Sequence, residues 1–312
     1  MTLYTRLEIK EINEIADQFG LTPVYSPKIL SGGSENTNYL IEVDSEKYVL
    51  CVCEQKTEKE ATELAQLLKH LEANDFNTSK IVFTTKEEPI IVRKNKPIMM
   101  RKFIEGKILK DLSPNLLNLI GKELAKLHKI PPPSFLQRQL PYGKESFSKV
   151  REYAPDSAFE QWLLEYQDFL SPYFQLDLPK ALIHSDLFWS NVIIDKAETT
   201  TILIDFEEAA NYYRIFDIGM TIIGICGEGE TINLENAKHI LTGYRSEISL
   251  EQDELDALKA FTIYAGVAMT FWRHRNFNYV KPDPKMFDHY IGLKVLVEYL
   301  MEQDDDCLIK QE

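Results

Sequence analysis

The stretch Leu182-Ile183-His184-Ser185-Asp186-Leu187-Phe188-Trp189-Ser190-Asn191, followed by Ile202-Leu203-Ile204-Asp205-Phe206, decides how this chain of 312 residues is read. In it, His-x-Asp-x-x-x-x-Asn precedes an apolar run that ends in Asp. That spacing suits phosphoryl transfer. Asp186 can accept a proton from an attacking hydroxyl, Asn191 can bind a metal, and Asp205 can bridge metal to phosphate. Oxygen ligands of this kind fit Mg²⁺, a hard cation that keeps several waters. Isolated Asp and Asn in loops mostly form turns. Here the spacing, the beta-type run Thr201 to Ile204 and the short strand Val192 to Ile194 coincide, and context of that kind separates a motif from a chance match. Asp186 is read as the base and positioner of the nucleophile, Asn191 and Asp205 as metal ligands, and His184 as a hydrogen-bonding residue that steadies the loop.

The rest of the composition is consistent with an enzyme of this kind. The length exceeds what one compact core usually takes, so one large or two linked domains are expected. A hydrophobic share of 44% with 16 Phe, 15 Tyr and 3 Trp supplies enough core for them. The net charge of −14 argues against nucleic acid as a partner, since phosphate neutralisation needs clustered Lys and Arg. It suits a cationic or zwitterionic small substrate. Cys51, Cys53, Cys226 and Cys307 lack the spacing of a metal site, and Cys51 and Cys53 share one face of a predicted strand as core thiols. Met1 to Lys10 has no apolar core of a signal peptide, and no apolar run is long enough to span a membrane. A cytoplasmic setting is the expectation.

Along the chain, helical spacing predicts a helix over Leu7 to Phe19, and beta patterning predicts strands at Tyr25 to Leu30, Thr37 to Val43 and Lys47 to Cys53. Between the first two strands, Gly32-Gly33-Ser34 forms a loop whose backbone amides can approach a triphosphate, because glycine carries no Cβ. Thr57 with Glu60 forms a capping box for a helix running to Asn74. Further strands are expected at Ile81 to Thr85, Pro89 to Arg93 and Ile98 to Ile104. After Gly106 the pattern turns helical, which marks a domain boundary. Helices are predicted from Ser113-Pro114 to the Pro131-Pro132-Pro133 breaker, and at Phe159 to Tyr173, Ile218 to Cys226, Leu234 to Arg245, Glu251 to Arg273 and Lys285 to Met301. Pro131 to Pro155 reads as the least regular stretch.

The motif at His184 to Asn191 with Asp205 resembles the catalytic core of the aminoglycoside phosphotransferase and choline kinase superfamily, relatives of protein kinases. Asp205-Phe206-Glu207 and Asn211 to Gly219 extend the match. Leu30 to Tyr39, Phe103-Ile104-Glu105-Gly106 and Ile120 to His128 are similar to type II homoserine kinases of that superfamily. The resemblance covers about Pro27 to Tyr290. It implies an α+β, bilobal protein-kinase-like fold: a small antiparallel-sheet N-terminal lobe with one long helix (1–102, nucleotide-binding), a connection (103–106), and a larger, mostly helical C-terminal lobe (107–312, catalytic and substrate-binding). It further implies ATP, with its adenine against Met100 to Ile104, including Lys102, and its triphosphate under Gly32, Gly33 and Ser34. Asp217 is implied as a structural support of the catalytic loop. One departure stands out. The strand that should read Tyr-Val-Leu-Lys, its Lys gripping phosphates, reads Tyr48-Val49-Leu50-Cys51, and homoserine-kinase-like members often lack that Lys as well. Lys56 and Lys102 are the basic residues nearest in sequence, and Glu63 is expected to lack its usual ion-pair partner.

The substrate implied is a small alcohol. Arg273 and Arg275 could clamp the carboxylate of homoserine, although an Arg pair at a helix end often only satisfies the helix dipole. Glu207 or Glu208 could take its ammonium. Choline would instead want an aromatic cage, for which Tyr212, Tyr213, Trp272 and Tyr279 are the candidates. A homoserine-kinase-like enzyme is the expectation. Choline or ethanolamine kinase, hydroxylysine kinase and aminoglycoside phosphotransferase are the alternatives within the superfamily, and a catalytically weak nucleotide-binding regulator is the alternative outside enzymology. Homodimerisation is left open.

Overall fold

Alternation of buried and exposed residues builds an antiparallel sheet in the N-terminal part of the chain. The computed structural model describes residues 5–30 and 36–310, and the loop Gly32-Gly33-Ser34 lies outside them. The chain divides into two compact units, Met1–Glu105 and Gly106–Glu312. In the first, helix α1 (Ile9–Gln18) precedes strands β1 (Lys28–Ile29), β2 (Asn36–Val43) and β3 (Glu46–Cys53), helix α2 (Glu58–Ala73), and strands β4 (Ile81–Val82), β5 (Ile91–Arg93) and β6 (Lys96–Lys102). The strand order is β1-β2-β3-β6-β4, with β5 also on β6, and every pairing is antiparallel.

Successive side chains of a strand point to opposite faces, and the two faces of this sheet differ. Tyr39, Ile41, Leu50, Val52, Ile98 and Met100 pack with Ile12, Ile15, Ala16 and Phe19 of α1 into one core. The other parity brings Asn38 opposite Cys51, Cys51 opposite Met99, and Val49 opposite Arg101. Helix α2 packs on β4 and β6 and starts as expected: the Glu60 amide donates to Thr57 Oγ1 (3.3 Å) and the Thr57 amide to Glu60 Oε2 (2.7 Å). Three strands are shorter than predicted. Residues 84–88 form a turn, in which the Thr84 amide donates to the Glu88 carbonyl (2.8 Å) and Glu87 takes a left-handed φ of 63°. Pro27 and Pro89, which lack an N–H, keep β1 and β5 from reaching further back.

The second unit is mostly helical. It comprises α3 (Pro114–Lys129), α4 (Val150–Tyr153), α5 (Ala158–Leu170), strands β7 (Lys180–Ile183), β8 (Val192–Ile194), β9 (Thr201–Leu203) and β10 (Ala210–Tyr213), and helices α6 (Arg214–Cys226), α7 (Leu234–Arg245), α8 (Gln252–Arg275) and α9 (His289–Glu302). Two short antiparallel pairs, β7 with β10 and β8 with β9, frame the motif residues. Helix α6 begins four residues before the predicted Ile218, because Tyr213 ends β10 and the chain passes directly into helix, so Asp217 is helical. Every residue of α6 after Arg214 is buried. Gly219 and Gly224 permit that: a Cβ at Gly219 would stand 2.7 Å from Thr262 Cα of α8, and one at Gly224 2.6 Å from the Leu187 carbonyl oxygen. At its start, Arg214 donates Nε to Glu254 Oε1 (2.7 Å) and Nη2 to Oε2 (2.5 Å), a two-pronged pair on a wholly buried carboxylate. The stretch expected to be irregular contains α4, and α8 runs on into a five-residue π-helical turn, Asn276–Val280. Among the described residues no helix is long and apolar enough to cross a membrane.

Helices α3 and α7 meet at Gly121, where an added Cβ would lie 2.0 Å from the Ile240 carbonyl oxygen and 2.8 Å from the Tyr244 nitrogen. Replacing Gly by Ala favours a helix by roughly 1 kcal/mol. Here the clash is with backbone that cannot swing aside. Gly121→Ala is therefore expected to lower the unfolding free energy by about 1–3 kcal/mol, measured by urea denaturation.

Candidate active site

The loop after β7 is held from behind by one buried carboxylate. Asp217, wholly enclosed in α6, accepts the His184 amide on Oδ2 (2.7 Å) and the Ser185 amide on Oδ1 (2.6 Å). His128 of α3 lies 3.1 Å from the same Oδ2 through Nε2, and its Nδ1 lies 2.8 Å from the Tyr244 hydroxyl. Since the carboxylate accepts, His128 donates from Nε2, and in the neutral ring its Nδ1 accepts a hydrogen bond from the Tyr244 hydroxyl. Ser185 sits at a left-handed φ of 67°. Its carbonyl accepts the Tyr142 hydroxyl (2.9 Å), and its own Oγ donates to the Glu208 carbonyl (2.6 Å). Burial pushes the Tyr142 phenol well above its ordinary pKa, so it stays a neutral donor.

His184 ties the two halves of the motif together. Its Nδ1 accepts the Asp186 amide (3.3 Å) and its Nε2 donates to the Ile204 carbonyl (2.8 Å), the residue just before Asp205. Burial lowers the imidazole pKa, and the neutral Nε2–H tautomer uses both nitrogens. Asn191, buried at the start of β8, donates Nδ2 to the Asp186 carbonyl (2.8 Å), and its own carbonyl accepts the Ile204 amide (3.0 Å). Asp205 takes a left-handed φ of 71° and opens a single 3₁₀ turn, Phe206–Glu208. Left-handed Asp205 and Ser185 each cost about 1 kcal/mol or more, which the surrounding hydrogen bonds must outweigh. Asp186, Asn191 and Asp205 are thus brought together by backbone bonds through His184 and Ile204, and Asp186 itself is only half-buried.

The profile of the phosphotransferase enzyme family matches residues 26–247, most of the chain. The chain belongs to that family. A homoserine kinase from Paramagnetospirillum magneticum is 27% identical over 297 residues, covering 91% of this chain and 90% of its own. Among solved structures, a microcompartment-associated aminopropanol kinase superposes with a TM-score of 0.73 at 18% identity, covering 96% of this chain and 99% of that one. An amicoumacin kinase in complex with AMP-PNP, Ca²⁺ and Ami gives a TM-score of 0.73 at 17% identity, covering 94% and 95%. The fold is protein-kinase-like, and the chain is a small-molecule kinase.

In this phosphotransferase the other expected residues separate into those near the loop and those away from it. Arg273, at the end of α8, holds its guanidinium carbon 5.4 Å from the Phe188 ring centroid and donates to the His289 carbonyl (3.5 Å). Burial lowers its pKa to about 10 while the Asp186 charge pulls it up, so it is cationic at neutral pH and feels that carboxylate. Glu207 and Glu208 lie in the turn opened by Asp205. Tyr213 does not come to the site. It pairs with Lys180 at the far end of β7, about 10 Å of strand from Ile183, with the Lys180 ammonium 4.8 Å from its ring centroid. The four cage candidates do not assemble either: Tyr212 and Tyr213 join Phe216, Phe261 and Tyr264, whereas Trp272 meets Phe277 and Tyr279 meets Tyr153. In the first unit, Met100 is buried opposite Leu50, Ile104 is half-buried, and the exposed Lys102 ammonium stands 3.8 Å from Glu46. Cys51 is wholly buried, and Glu63, whose usual partner would be a lysine at position 51, has the Lys59 ammonium of its own helix at 3.6 Å. His128, Tyr142 and Tyr244 escaped the sequence reading as site residues. His128 lay inside the helical run that resembled homoserine kinases, but nothing local tied it to Asp217.

Two buried imidazoles give the phosphotransferase an acid sensitivity. Burial lowers His184 and brings His274, packed face to face on Phe159 at 3.6 Å between centroids, to about 4 from 6.5. Below pH 6.5 the unfolded chain protonates while the folded imidazole stays neutral, so unfolding takes up protons and stability falls as pH falls. Between pH 7 and pH 5, His274 alone removes about 2 kcal/mol. Denaturant unfolding of His274→Phe across that range should show a shallower loss than the wild type; parallel curves would contradict it.

Proposed function

We propose that this small-molecule kinase transfers phosphate from Mg-ATP to the side-chain hydroxyl of homoserine or a closely similar hydroxy amino acid, in the cytoplasm. The observation that carries the substrate class is Arg273. A guanidinium beside Phe188 and within the field of Asp186 attracts a carboxylate in a two-pronged geometry and repels the quaternary ammonium of choline. The dispersal of the cage candidates works against choline as well, and the homoserine kinase likeness favours the same choice. Glu207 and Glu208 are assigned the substrate ammonium.

Asp186 orients the hydroxyl and accepts its proton. His184 and Asp217 hold the loop and touch no substrate. Asn191 and Asp205 fit Mg²⁺ by donor chemistry. With its Nδ2 committed to Asp186, Asn191 has its oxygen left for a cation, and Asp205 adds a carboxylate. Mg²⁺ is commonly held by one or two protein side chains together with nucleotide phosphates. When bound, Mg²⁺ would offset charge developing on the transferred phosphoryl group. Residues 1–102 are assigned to nucleotide binding, with Gly32, Gly33 and Ser34 at the phosphates and the backbone of Met100, Lys102 and Ile104 at adenine. Residues 103–106 form the connection, and 107–312 carry catalysis and the alcohol. The AMP-PNP and Ca²⁺ complex of the amicoumacin kinase supports the nucleotide and a divalent metal.

ADP release should be measured with homoserine, choline, ethanolamine, hydroxylysine and an aminoglycoside. Homoserine is expected to give the highest kcat/KM; turnover with none of the alcohols would sink the reading. Arg273→Ala should raise KM for homoserine by about tenfold or more, as loss of a charge-assisted pair does, and leave KM for ATP unchanged. Asp186→Asn should cut kcat by roughly 10²–10⁴ while Mg-ATP still binds by calorimetry.

A further inference from the structure

The sheet face opposite α1 is where a lysine at position 51 would project, and that position holds a buried cysteine. A chain that binds a triphosphate on this face needs a cation there, because the phosphates carry several negative charges and water is partly excluded. The strand register shows which basic residues share the face. Lys28 pairs with Leu40, Lys47 with Glu42 across β2 and β3, and Arg101 with Val49 and Ile81. Lys28 is exposed at the sheet edge, and Lys47 is engaged by Glu105 at 2.6 Å. Arg101 lies beside Cys51: Val49↔Arg101 and Cys51↔Met99 are consecutive same-face pairs of one ladder, so the two positions are diagonal neighbours. Diagonal neighbours stand about 7–8 Å apart, within reach of a long side chain.

Arg101 is also unusual for its place. Strand β6 has neighbours on both sides, and Arg101 is flanked across the ladder by Val49 and Ile81. Arg101 is half-buried there, at a position that β-propensity alone would give to a β-branched residue. Neither Lys56 nor Lys102 shares these properties. Lys56 follows the end of β3, and Lys102, one residue on from Arg101, has the opposite parity and sits near Glu46.

We propose that Arg101 of β6 is the residue that grips the nucleotide phosphates in place of the strand-β3 lysine. The inference rests on the nucleotide reading above. The guanidinium remains charged at any working pH and offers planar, paired donors to phosphate oxygens, where the lysine would have offered a point charge.

Calorimetric titration with Mg-AMP-PNP and, separately, with adenosine tests the assignment. Arg101→Met is expected to weaken Mg-AMP-PNP by about tenfold or more, the loss of a charge-assisted contact, while adenosine affinity stays within about twofold. Arg101→Lys, which keeps the charge and loses the fork, should fall between Met and wild type, and it serves if the Met variant does not fold. Unchanged Mg-AMP-PNP affinity in either variant would overturn the proposal, and so would an equal loss for adenosine, which would assign Arg101 to the base or the fold. A wild-type protein that binds no magnesium nucleotide would bring down the underlying function as well; binding that ignores Arg101 would remove only this inference.

Discussion

The second unit depends on the Asp217 carboxylate, which receives two consecutive backbone amides of the loop that carries Asp186. A buried carboxylate is costly unless its oxygens are fully bonded. Here the bonds come from the His184 and Ser185 amides and from His128. The same bonds that make the charge tolerable immobilise the loop. Ser185 can therefore keep a left-handed backbone, and Asp186 is presented from a rigid base while itself half-exposed. Deep burial of α6 follows from this need. A helix that anchors this loop from inside must lie against the loop on one side and α8 on another, which Gly224 and Gly219 allow.

His184 extends that rigidity to the Asp205 side of the motif. Neutral and enclosed, it joins the Asp186 amide to the Ile204 carbonyl, and Asn191 joins Asp186 to Ile204 a second time. Two independent links between the same pair of loops make their spacing insensitive to the fluctuation of either one. Phosphoryl transfer rewards that, since the protein contributes mainly position and electrostatics. A histidine suits the role because one neutral ring both accepts an amide and donates to a carbonyl. A protonated ring would have no acceptor for the Asp186 amide.

How much of this could be read beforehand depended on range along the chain. The cluster from His184 to Asn191 was visible because its residues are neighbours. Helix α7 was visible at Leu234 to Arg245 because its apolar periodicity is local. The capping box at Thr57 is likewise a four-residue pattern. The pairing of β7 with β10 was missed, since each strand has four residues and Asn211-Tyr212-Tyr213 carries no period of its own. His128 escaped for the same reason: 89 residues separate it from Asp217, and its helix reads as an ordinary amphipathic one. Arg273 was singled out for its chemistry, but its nearness to Phe188 is a fact of packing between α8 and the loop.

The lysine missing from position 51 shows the limit of reading by position. Sequence neighbours of Cys51, such as Lys56, are natural candidates when only the chain is known. A sheet, however, makes neighbours across strands, and residues fifty apart stand in one ladder. What a phosphate site on that face requires is a cation, and any strand crossing it can supply one. Moving the charge from β3 to β6 also changes its character. Glu63 of α2 has Lys59 of its own helix at 3.6 Å. The carboxylate of α2 is thereby partly neutralised without any strand residue, so the order of the sheet need not depend on an ion pair between β3 and α2.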